Sequence, residues 1–111
     1  MGLLTLQFTA SPSTNLMKRV IWKFPLGISE CQVVEMPRIL MPLTVQMQGE
    51  KPCLWAFVDP DADPTPHLIV MKGTGIKEEA AKIRPMDDLQ YLGTVQIEPC
   101  VWHYFLELNV R

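Results

Sequence analysis

Apolar residues alternate with polar ones in short runs along this chain, and Pro or Gly punctuates the runs about every ten positions. From Lys18 to Phe24, Val20, Trp22 and Phe24 share one face while Arg19 and Lys23 share the other. That period of two marks a half-buried strand, and Pro25 and Gly27 end it. Glu30 to Met36 gives a second run, with Cys31 and Val33 facing one way and Gln32 the other, before Pro37. Met41, Leu43, Val45 and Met47 alternate with Thr44, Gln46 and Gln48, the cleanest alternation in the chain. Gly49-Glu50 then joins this run to Lys51–Val58 as a hairpin. His67 to Lys72 is another strand, closed by Gly73-Thr74-Gly75. Leu89 to Ile97 sets Leu89, Tyr91, Val95 and Ile97 against Gln90, Thr94 and Gln96. Cys100 to Leu108 points Cys100, Trp102, Tyr104 and Leu106 inward and His103 and Glu107 outward, with Glu98-Pro99 as the turn between the last two strands.

The stretch KPCLWAFVDPDADPTP, Lys51 to Pro66, stands apart. Its apolar run from Cys53 to Val58 has no alternation, which predicts a strand buried on both faces. Trp55 at its middle is expected to be among the most costly residues to truncate. Pro60, Pro64 and Pro66 stop any regular element after it. The one predicted helix follows Gly75: Ile76, Ala80 and Ile83 share a face, Glu78 and Lys82 form an (i, i+4) pair, Thr74 could cap it, and Pro85 ends it after about two turns. Together these elements predict a mainly β, single-domain antiparallel β-sandwich or small barrel of six to seven short strands with one short helix. The domain spans 17–111. Residues 1–16 carry no charge and read as a flexible leader or an extra edge strand at Leu3–Thr9, with Met17 as the functional start. They lack the basic n-region of a signal peptide.

Composition narrows the function more by exclusion than by assignment. Hydrophobic residues make up 48% and charged residues 20%, which excludes disorder over most of the length. A net charge of −2 with scattered cations gives no footprint for nucleic acid. No apolar run reaches membrane-spanning length. Cys31, Cys53 and Cys100 are an odd, widely spaced set read as small core hydrophobes in a reduced, cytoplasmic protein. With His67 and His103 they form no paired zinc-ligand motif. Asp59, Asp61 and Asp63 have the spacing that opens a calcium loop, but Pro64 and Val70 occupy the positions where such a loop carries Gly and Glu. They are expected to form an Asx-stabilised turn in a hairpin, with no metal and no cofactor bound. His103 and Glu107 share a strand face without a nucleophile or pocket, so solvated surface is the expected account and catalysis is not.

A surplus of apolar side chains remains. Ile69 and Phe105 fall on faces opposite the assigned core, and Trp and Met are residues that interfaces favour. The expected partner-binding set is therefore Ile69, His103, Phe105 and Glu107, with the acidic turn Asp59, Asp61 and Asp63. A protein partner fits such a surface. So does a homodimer through the His103–Phe105–Glu107 face or the Val20–Phe24 strand, with Ile21, Leu54 and Leu92 also in surplus.

The segments KRVIWKFPL, VEMP, PCLWAFVDPDA, GTG, LQYLGTVQ and VWHYFLE resemble a family of small proteins encoded by tailed bacteriophages and prophages, a domain of unknown function. The likeness runs from Lys18 to about Glu107, and Pro52–Ala62 and Val101–Glu107 are its most specific pieces. It supplies no site residues. It implies a phage context and a bacterial host cytoplasm. The expectation is then a phage-encoded, non-enzymatic accessory protein that binds a host or phage macromolecule, such as an inhibitor of a bacterial antiviral defence. A minor virion component and a small enzyme are the alternatives.

Overall fold

The computed structural model describes residues 18–108; the leader read at 1–16 lies outside them. Seven strands form where the alternation places them: β1 (Val20–Pro25), β2 (Cys31–Met36), β3 (Ile39–Gln48), β4 (Lys51–Val58), β5 (Thr65–Gly73), β6 (Leu89–Ile97) and β7 (Cys100–Glu107). They sort into two antiparallel sheets, one ordered β1-β4-β3 and one ordered β2-β5-β7-β6. The mainly β, single-domain sandwich expected from the sequence is what forms, and no barrel closes.

The core lies between the sheets. Val45, Leu54, Ala56 and Val58 enter it from the three-stranded sheet, and Met36, Ile69, Met71, Leu92, Val95, Tyr104 and Leu106 from the other. Each fully buried aliphatic side chain contributes about 1.5–3 kcal/mol. β4 is the central strand of its sheet, and Pro52, Cys53 and Leu54 are buried in succession, as the continuous apolar run requires. Trp55 and Phe57 point to the outer face and are partly buried, while Leu54 is fully enclosed between the sheets.

Several alternations change phase, for identifiable reasons. β3 carries register shifts between Ile39 and Met41 and between Pro42 and Thr44, and β6 carries one between Tyr91 and Gly93. Each bulge inserts a residue and turns every side chain beyond it to the other face. Met41 and Leu43 therefore face solvent while Val45 is buried. Tyr91 shares the outer face with Thr94, and Val95 faces in. In β2, adjacent Val33 and Val34 leave the phase open to the sequence. Met36, buried completely, fixes it, so Cys31 and Val33 point outward. Trp22 lies in β1, an edge strand, on the Val20–Phe24 side and is 40% exposed.

Connections also differ from the expectation. Asp59–Pro64 does not close a hairpin; it carries the chain from β4 in one sheet to β5 in the other. It runs beside another such crossing, Pro37–Arg38, where the Asp59 N–H donates to the Arg38 carbonyl at 3.1 Å. The 74–88 segment is not a two-turn helix but a strap with single 3₁₀ turns at Ala80–Lys82 and Met86–Asp88. Two helical turns are too few to sustain themselves. Strand charges hold the strap instead: Lys72 pairs with Glu78 at 2.9 Å, and Glu107 with Arg84 at 3.1 Å.

At one edge the two sheets come into backbone contact. A Cβ on Gly93 would lie 2.5 Å from the Val45 carbonyl oxygen and 2.6 Å from its nitrogen. Only glycine allows this approach, and it brings the bulged strands β3 and β6 together.

Candidate functional site

The outer face of the four-stranded sheet gathers most of the chain's candidate residues. Register sets Cys31 beside Val70, Val70 beside Phe105, and Phe105 beside Tyr91, an apolar rung across all four strands. Tyr91 and Phe105 meet edge to face at 5.9 Å between ring centroids, a geometry worth about 0.5–1.5 kcal/mol. Tyr91 is 58% exposed and Val33, on the same face of β2, 64%. Val70 is buried, and it lines a pocket with Glu30, Cys31 and Lys72 of the sheet and Lys82 and Arg84 of the strap.

The neighbouring rung is polar and runs Lys72, His103, Thr94. The His103 ring is held from both sides, with Nδ1 2.9 Å from Thr94 Oγ1 and Nε2 2.7 Å from Thr74 Oγ1. Tyr91 Oη lies 2.6 Å from Thr94 Oγ1 and extends the chain of hydroxyls. In a neutral imidazole one nitrogen donates and the other accepts, and a threonine hydroxyl can answer either. A hydroxyl beside an imidazole is the first half of a nucleophile–base pair. The third group here is a threonine hydroxyl, which offers an imidazolium no counter-charge. The arrangement fixes a ring in place and supports the aromatic rung next to it.

Phe105 and His103 thus sit on the outer face as the alternation placed them. Glu107 shares that face but is not solvated: its side chain is 8% exposed and is paired with Arg84. Ile69 is a correction. It is fully buried between the sheets opposite Leu106 and Gln32, and takes no part in a surface. The run Leu68-Ile69-Val70-Met71 has no alternation to phase, so only pairing with β7 could decide which residue turns inward.

The acidic residues lie apart, in the crossing between sheets. Asp59 Oδ1 accepts the Asp61 N–H at 3.0 Å and the Asp59 carbonyl accepts the Ala62 N–H at 3.1 Å, the Asx turn read from the sequence. Asp61 approaches Lys18 at 3.8 Å, both side chains well exposed. Among the described residues no group of three or more His, Cys, Asp or Glu is placed to hold a metal ion. Cys53 is buried and Cys100 half-buried, whereas Cys31 is exposed, against its reading as a core residue. Among the described residues no helix is long and apolar enough to cross a membrane.

The alternation missed Tyr91, Val33, Ile83 and Met86 as surface residues. Met86 is 79% exposed on the strap. Met86 is of a residue type that interfaces favour; Tyr91 and Val33 were hidden by a bulge and by a double valine.

A family model described as domain of unknown function DUF7352 matches residues 17–110. The chain belongs to that family. No curated protein and no solved structure matches it.

Proposed function

We propose that this DUF7352 protein is a non-enzymatic accessory module that acts by binding a protein partner on the outer face of its four-stranded sheet. Its setting is a phage or prophage in a bacterial host cytoplasm, and its role is to inhibit a host antiviral defence. The phage setting rests on the resemblance of Pro52–Ala62 and Val101–Glu107 alone; the binding mode rests on the molecule. One observation carries it: the Cys31–Val70–Phe105–Tyr91 rung stays apolar at both exposed ends, where a solvated sheet face would alternate to polar side chains. Tyr91 and Phe105, flanked by the polar rung of Lys72, His103 and Thr94, have the composition of a protein contact. His103, with both nitrogens engaged by threonines, supports structure rather than catalysis.

The test is capture of partners from host lysate by the wild-type chain and by Tyr91→Ala, with folding checked by circular dichroism. A protein retained by the wild type and lost with Tyr91→Ala is the expected result. Equal retention by both would remove this face from the reading. Normal growth, on defended hosts, of a phage lacking the gene would remove the defence role. Recovery of the protein in purified particles by mass spectrometry would favour a virion component instead.

A further inference from the structure

We propose that two copies of this chain join through the open edge of β2, antiparallel about a two-fold axis at Val33, making one continuous sheet across both copies. The inference stands on the edge strands and is independent of the docking face above.

A sandwich of two open sheets has four edge strands, and exposed edges are ordinarily blunted by Pro, Lys or bulges. Three of the four here are blunted. Along β1, the Leu26 N–H donates to the Pro52 carbonyl, so Leu26 and every second residue before it face β4. That leaves Ile21, Lys23 and Pro25 to the open side, a central cation and a residue with no N–H. β3 contains Pro42 and two register shifts, and its backbone meets Gly93 of β6. β6 is bulged between Tyr91 and Gly93. β2 carries none of these devices: its register with β5 is unbroken from Cys31 to Met36, and it contains neither Pro nor Lys.

The open groups of β2 can be identified. The Met71 N–H donates to the Glu30 carbonyl at 2.9 Å, so even-numbered residues of this strand face β5. Cys31, Val33 and Glu35 therefore turn their N–H and C=O outward. The Ser29 hydroxyl meets the Cys31 carbonyl from that open side at 3.3 Å, a long and exchangeable contact. Among the described residues no strand pairs with this edge.

A second copy fits it better than an arbitrary strand. Placing Val33 opposite Val33 of the other copy lets the outward N–H and C=O groups of both strands meet in register. Cys31 then lies opposite Glu35, so no like charges face each other, and the most exposed valine of the edge is covered by its own equivalent. Side chains keep their faces, so the two apolar rungs become neighbours on one surface. The contact is small, so assembly depends on concentration.

Sedimentation velocity on the full chain, from about 5 to about 300 µM, reads the assembly directly. The expected result is a mass rising toward twice 12.7 kDa. Val33→Lys should hold the chain at the monomer mass with an unchanged circular dichroism spectrum, because the side chain is already exposed. A cysteine pair fixes the register: facing residues lie at about 5.5 Å between Cα atoms, within disulfide reach. In a Cys31→Ser background, Val33→Cys should give a covalent dimer on mild oxidation and Gln48→Cys should not. A monomer throughout the range overturns the proposal and leaves the edge to an extended peptide of another protein. A dimer that survives Val33→Lys, or cross-links equally at both positions, overturns this edge as the contact.

Discussion

The two sides of the sandwich have opposite fates. Where β3 meets β6, Gly93 admits the backbone of Val45, and the sheets lock at a distance no side chain would permit. Where β1 and β2 lie, Gly27 has ordinary space: a Cβ there would meet only the Gln32 amide, at 3.5 Å. That corner is held by polar contacts instead. The Gln32 side chain accepts from Gly27 N–H and donates to Gly27 C=O, and the Tyr104 hydroxyl donates to the same carbonyl at 3.0 Å. One edge is thus closed by steric fit and the other by hydrogen bonds that leave a strand's outer groups open. Closure by fit should tolerate no change, and closure by hydrogen bonds should weaken gradually.

The largest expected effect follows from that contrast. Gly93→Val should cost about 4 kcal/mol or more in urea unfolding, since backbone rather than a flexible side chain must give way. Gly27→Ala should stay within about 0.5 kcal/mol. Equal costs would dissolve the distinction between the two sides.

An open edge does not mean a loose interior. Met36 at the end of β2 is fully buried, and Met36→Ala should cost about 2–5 kcal/mol. Val33→Ala on the same strand should cost less than about 0.5 kcal/mol at monomer concentrations. β4, running between the two sides, should show the same split: about 2–5 kcal/mol for Leu54→Ala and a clearly smaller loss for Trp55→Ala, each read from urea midpoints.

Tyr104 gives the smallest and most diagnostic effect. Burial raises its phenol above the ordinary value of 10.0. The folded protein therefore holds this proton more tightly than the unfolded chain does. Its stability contribution is complete below about pH 10 and is lost as pH rises from there through the folded value. Tyr104→Phe removes the bond to Gly27 and should cost about 1 kcal/mol at neutral pH. The gap to wild type should shrink as pH climbs above 10, and a gap that stays constant would place the hydroxyl in solvent.

Strand positions were legible because period-two alternation and Pro or Gly stops are local properties. The β3–β4 and β6–β7 hairpins were legible for the same reason, each being set by a two-residue turn. Half of the candidate site was equally legible: His103 and Phe105 lie on a strand whose alternation, Cys100 through Leu106, has no bulge to disturb it. Ile69 and Val33 were not, since runs such as Leu68–Met71 and Val33-Val34 contain no phase. Tyr91 was hidden by a register shift that the sequence marks only with a glycine.

By itself, then, the sequence determined the strands, their order along the chain, the Asx turn at Asp59 and the absence of a charge pattern for nucleic acid, because each depends on residues close in the chain. Tertiary structure decided which face of each strand is inside, which strands share a sheet, and that residues 74–88 form a strap rather than a helix. Those outcomes depend on pairings such as Gly93 with Val45, Glu107 with Arg84 and Ile69 with Leu106, between residues far apart in sequence, whose energies exist only once the sheets have met.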